Sequence, residues 1–102
     1  MKVEYAHSVD SRTAHVYGRR FGALLRQRRE ELGLSQEDVA LRADMDRRHY
    51  QELEHGFSNS RTRTPANPRL LTLVNLAAAL EMDIEDFFSR LGSAITSPRP
   101  NQ

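Results

Sequence analysis

The chain has 102 residues, 38% of them hydrophobic and 28% charged, enough for one compact domain burying roughly two-thirds of its unfolded surface. Mean hydropathy is −0.67, and the longest mainly apolar run, Leu70–Leu80, is broken by Thr72 and Asn75 and falls well short of the roughly 20 residues of a membrane span. Having no cysteine excludes a disulfide framework, a thiol nucleophile and a zinc finger, while the net charge of +1 conceals eleven Arg against eight acids between Arg12 and Arg63.

Residues 1–18 read as a flexible, polar lead-in, with Thr13–Gly18 as an irregular arm or early turn. No apolar stretch follows Lys2, so no signal peptide is expected. From Arg19 the pattern turns helical, with Phe21, Leu24, Leu25 and Leu32 on one side, and Gly33 ends the helix as a C′ residue. Ser35 followed by Asp38 marks a capped helix start, and Val39, Ala40 and Ala43 give that short helix its inward face. Asp44-Met45 breaks it, and Asp46 stands ready to cap a third helix, Arg47–Glu54, whose apolar side is Tyr50 and Leu53. Gly56 closes that helix, and Phe57–Ala66 reads as a polar loop. Asn67-Pro68 restarts helix with a cap and a first-turn Pro, and the run to Leu80 is apolar nearly all round, which makes it central. Asp83 starts a last helix carrying Ile84, Phe87, Phe88 and Leu91. The tail 93–102 is expected to fray. No run combines β-branched enrichment with alternation, so the expectation is an all-α domain of five short helices over residues 19–92.

Two short helices about three residues apart cannot form an antiparallel hairpin and must cross steeply, as in a helix-turn-helix. Val39 then faces the core, Ala40 is small where the next helix passes, and Met45 plugs the gap beneath the turn. Tyr50 and Leu53 turn inward, leaving Arg47, Arg48, Gln51 and Glu52 outward. On Phe21-Gly22, Leu25-Arg26, Arg29, Leu32 through Ala40, Leu53-Glu54, Gly56, Asn67-Pro68 and Leu76 through Leu80, the chain resembles the Cro/phage-repressor (Xre-type) helix-turn-helix family across roughly residues 19–91. That resemblance implies a lambda-repressor-like five-helix domain whose third helix enters the DNA major groove, commonly as a homodimer on a palindromic operator. It also implies a structural ion pair between Arg29 and Glu54. The sequence departs from the family in having Asp44 at the usual Gly of the turn, Tyr50 at a usual small β-branched position, and a longer connection from Gly56 to Asn67.

Carried over position by position, the resemblance assigns Gln36 to a phosphate, helped by the amides of its helix N-terminus, the alternative being an ordinary solvated residue at the first helical position. Arg47 and Arg48 fall at base-reading positions, where Arg reaches guanine O6 and N7; the alternatives are phosphate contact, or an i, i+4 pair of Arg48 with Glu52. Glu52 is also base-facing and either accepts from cytosine N4 or orients Arg48, and Gln51 touches bases or backbone. Asn59, Arg61 and Arg63, with Thr62, run along the phosphates or form a solvated basic loop. Ile84, Phe87, Phe88 and Leu91 match a pairing surface; adjacent Phe residues cannot both face the core, so one is left for a partner.

No enzyme is expected: there is no Gly-rich phosphate loop and no His–carboxylate set at ligand spacing. His49 and His55, six apart, do not share a helix face, so neither metal nor cofactor is called for. The expectation is a cytoplasmic, prokaryotic or phage, sequence-specific regulator bound to double-stranded DNA. The rival reading is a protein-interaction module, such as an antitoxin, with secondary DNA binding.

Overall fold

The computed structural model describes residues 9–96, so the expected lead-in up to residue 8 and the tail from 97 lie outside the described residues. Five helices follow one another: α1 (Ser11–Glu31), α2 (Gln36–Arg42), α3 (Arg47–Glu54), α4 (Leu70–Ala79) and α5 (Ile84–Thr96). Between α3 and α4 lies a two-stranded antiparallel hairpin of β1 (Phe57–Asn59) and β2 (Thr64–Pro65). The domain is therefore mainly helical rather than purely so.

Helix α1 begins two turns earlier than the expected Arg19. Asp10 accepts the Thr13 amide at 2.8 Å and so supplies the cap that starts it. The helix ends in a Schellman motif: Gly33 takes φ 69°, and the amides of Leu34 and Gly33 bond back to the carbonyls of Arg29 and Glu30. The same motif closes α2 with Asp44 (φ 56°) and α4 with Glu81 (φ 57°) in the left-handed place. In α2 the amides of Met45 and Asp44 reach Ala40 and Leu41, and in α4 those of Met82 and Glu81 reach Ala77 and Ala78. Asp44 thus does the job a Gly would do there.

Ser35 and Asp38 form a reciprocal capping box, at 3.0 Å and 2.9 Å. Asp46 occupies the N-cap position of α3, but its side chain makes no capping bond. The restart after Asn67-Pro68 also comes later than expected, with Arg69 at the N-cap of α4 and no side-chain cap. At the other end α5 runs through Gly92 to Thr96, beyond the expected boundary.

Leu25, Val39, Tyr50, Leu53, Leu76, Leu80 and Phe87 are wholly buried and form the centre of the core. Helix α5 packs chiefly along α1, and α2 lies against α3 and α4. A close backbone approach falls where α1 meets the end of α3 and the residue pair that follows it. A Cβ on Gly22 would come within 2.2 Å of the Glu54 carbonyl oxygen, and one on Gly18 within 2.4 Å of that of Gly56. These two glycines, one turn apart on α1, let the backbones touch.

The hairpin that sequence reading took for a loop is short, with a bulge between Phe57 and Asn59. Strands of three and two residues are too brief for alternation to show. It rests on the extra length of α1: one ring nitrogen of His15 lies 2.9 Å from the Arg63 carbonyl oxygen, and the ring meets Phe57 edge-on.

Candidate nucleic-acid interface

The site is built around a buried carboxylate. Glu54 is 3% exposed and receives Arg29 twice, from Nε to Oε2 at 2.6 Å and from Nη2 to Oε1 at 3.2 Å. Gln36 Nε2 donates to Oε1 at 3.0 Å, and the Tyr50 hydroxyl donates to Oε2. Burial by itself would raise the carboxyl pKa. The bonds from Arg29, Tyr50 and Gln36 outweigh it and hold Glu54 below its ordinary value. Burial, then the Glu54 carboxylate beside it, push the Tyr50 phenol up. This cluster ties α1, the start of α2 and the end of α3 into one frame.

Around that frame the outward residues take their places. Arg47 and Arg48 are exposed at the start of α3, and neither makes an ion pair among the described residues. Arg47 shares the rim of an open cleft with Arg29, Ser35, Gln36 and Glu37, so the starts of α2 and α3 face one common space. Gln36 and Gln51 are half-buried and bonded to each other, Gln51 Nε2 donating to Gln36 Oε1 at 2.9 Å.

Glu52 has a partner that neither sequence-based alternative named, while the Arg48 charge also acts on its carboxylate. Its Oε2 accepts both the amide and the hydroxyl of Ser60, each at 2.9 Å, which fastens the hairpin tip to α3. The Ser60 amide, followed by its hydroxyl, lowers the Glu52 pKa. Asn59 also serves the turn: its Oδ1 accepts the amides of Arg61 and Thr62 at 3.0 Å and 3.2 Å. Arg61 is exposed at the tip. Arg63, in the left-handed region at φ 56°, lays its guanidinium over Phe57, 5.0 Å from the ring centre.

The expected pairing surface divides. Phe87 is wholly buried and belongs to the core, so it cannot contribute to an interface. Leu91 packs partly against that core. Ile84 and Phe88, four residues apart on α5, are 41% and 37% exposed. Of two adjacent Phe residues, the helix turns Phe88 outward and Phe87 in.

A helix-turn-helix family model of the Cro/C1, Xre-like type matches residues 25–87, more than half of the chain. The chain belongs to this family. The matched region runs from within α1 into α5 and includes α2, α3 and the buried Arg29–Glu54 pair, so this helix-turn-helix domain is a DNA-binding one. Nearly the first four turns of α1 lie ahead of the match. Among the curated proteins none matches this sequence. No helix of the described residues is long and apolar enough to cross a membrane.

Sequence reasoning missed several contacts that shape this domain. Arg42 reaches the Ala79 carbonyl at 3.1 Å and Glu81 at 2.8 Å, tying α2 to the end of α4. Arg28 donates from Nε to the Leu80 carbonyl at 2.9 Å. Their only sequence signal is that Arg, with its planar fork, suits orphan helix-end carbonyls. The hairpin contacts of Glu52 and His15 carry no local signal.

Proposed function

We propose that this protein is a sequence-specific regulator of transcription that inserts α3 into the major groove of double-stranded DNA. The observation that carries this reading is the pair Arg47 and Arg48, exposed side by side at the start of α3 and making no ion pair among the described residues. Two unpaired guanidinium groups at a helix start suit guanine edges, each good bidentate contact contributing about 1–3 kcal/mol of discrimination. Gln51 faces the same side and reads with them. Gln36, whose second amide hydrogen is unused by Glu54, takes a phosphate. Glu52 acts by holding the hairpin beside α3, where Arg61 follows the DNA backbone, with Asn59 shaping the turn and Arg63 adding charge. Ile84 and Phe88, with the edge of Leu91, form the two-fold contact of a homodimer. The operator is then palindromic. The exposed Leu70, Leu71 and Val74 on α4, at 66%, 72% and 38%, favour a second reading in which a protein partner also docks.

Selection of bound sequences from a random duplex pool, repeated at two salt concentrations, tests this directly. A palindrome with half-sites about one helical turn apart supports it. Salt-sensitive binding without an enriched motif would leave backbone contact alone and reject sequence-specific regulation.

A further inference from the structure

A single tight turn joins the outward side of α3 to one side of α1. Glu52 of α3 accepts the Ser60 amide and hydroxyl at 2.9 Å. The Arg63 amide donates to the Ser60 carbonyl at 3.3 Å, and the Arg63 carbonyl lies 2.9 Å from a ring nitrogen of His15 on α1. That side of α1 carries a row of arginines. Arg12, Arg19 and Arg26 are seven residues apart, and each step of seven falls about 20° short of two full turns. The three therefore stay within about 40° of one another, spaced about 10.5 Å along the axis. All three are exposed, and none makes an ion pair among the described residues. No Asp or Glu occurs from residue 11 to 29, nor from 57 to 80, so neither α1 along this row nor the hairpin supplies a counter-charge. Glu52, at the edge, has its carboxylate turned to Ser60. On α5, by contrast, Arg90 pairs with Asp86 one turn away.

We propose that Arg12, Arg19 and Arg26 form a second DNA contact, a row on α1 that follows the phosphates beside the groove taken by α3, with Arg61 at the tip of the turn bridging the two. This rests on the proposed insertion of α3 into DNA. Arg12 and Arg19 lie ahead of the residues 25–87 that the family model matches, so the row is built mainly on this chain's own extension of α1. Regularly spaced, unpaired guanidinium groups along a helix suit a line of like anionic charges, and Arg offers each a planar fork of donors. A protein partner would need an apolar anchor as well, and α1 exposes no large hydrophobic side chain from Ser11 to Glu31. Phosphate contacts carry no sequence information. The row therefore adds affinity and sets the angle of the domain on the duplex, while α3 does the reading.

The test is the salt dependence of binding, measured by titrating the full chain against two duplexes, one carrying the selected motif and one scrambled. Each arginine that meets a phosphate contributes about 0.9 to the slope of log affinity against log salt. Arg12→Ala, Arg19→Ala and Arg26→Ala should each lower that slope by about 0.9 on both duplexes, and the triple variant by about 2.7. The selected motif should stay the same. Arg12→Lys, Arg19→Lys and Arg26→Lys together keep the charge and should keep the parent slope. Arg90→Ala removes an equal charge from α5, which meets α1 on the side of Arg20, and should move the slope by less than about 0.3. Thermal melting checks each fold, and the single variants decide if the triple does not fold. Slopes unchanged at Arg12, Arg19 and Arg26, or falling no further than with Arg90→Ala, overturn the row and leave sequence reading by α3 intact. A parent that enriches no motif, with slopes that fall as expected in the variants, keeps the row and rejects sequence reading. A parent that binds neither duplex overturns both.

Discussion

Tyr50 and Arg29 meet at a single atom, each donating to Oε2 of the buried Glu54. The other oxygen takes Arg29 again and Gln36, so both carboxylate oxygens are shared between two donors. A residue that departs from its family's usual small β-branched type has thereby joined the central ion pair. Tyr50→Phe keeps the ring and removes one donor to a charge, and should destabilise the domain by about 1.5–3 kcal/mol. Because Glu54 is held below its ordinary 4.5, its contribution is complete above that pH and is lost as pH falls toward the depressed value. Losing the Tyr50 donor brings the folded value back up. The stability gap between parent and variant should then be widest at pH 7 and narrow below pH 4.5. Urea unfolding across that range would show it, and a constant gap would count against the Tyr50 contact.

Gly22 and Gly92 both lie inside helices, where Ala is ordinarily the better residue by roughly 0.5–1 kcal/mol. Gly92→Ala should follow that rule and stabilise, since nothing lies within 4 Å of the added Cβ. Gly22→Ala should do the opposite. Its Cβ would sit 2.2 Å from the Glu54 carbonyl oxygen, and separating α1 from α3 should cost about 1–3 kcal/mol or more. Thermal melts of the two variants should shift in opposite directions.

Glu52→Ala removes the acceptor that holds Ser60. Ser60 is exposed, so global stability should change by no more than about 0.5 kcal/mol. The effect should be local: faster exchange of the Ser60 amide. Slower or unchanged exchange would mean that the hairpin tip is held by its own turn.

Arg47→Ala and Arg48→Ala should each leave the melting temperature nearly unchanged, because both side chains are exposed and make no ion pair among the described residues. Each should weaken specific DNA binding by roughly 1–3 kcal/mol, measured by titration against the selected duplex and a scrambled one. Equal losses on both duplexes would make the contact one to phosphate.

Local rules made the helix-turn-helix legible. The Ser35–Asp38 box, Gly33 after α1, and the inward set Val39, Ala40, Tyr50 and Leu53 all act within a few residues, where side-chain spacing and helix geometry leave little choice. Those same rules left Arg47, Arg48, Gln51 and Glu52 on the outward side. What they could not supply was the partner of each outward residue. The early start of α1 and the hairpin support each other through His15 and Arg63, 48 residues apart, and neither segment signals this alone. Phe87 and Phe88 are equivalent in composition, and only the packing of α5 on α1 and the core decides which is buried. Glu52 and Gln51 likewise differ by one residue and by about 100° around α3. One turns to the hairpin and the other to Gln36, because hydrogen-bond partners are set by which backbones the fold brings within about 3 Å.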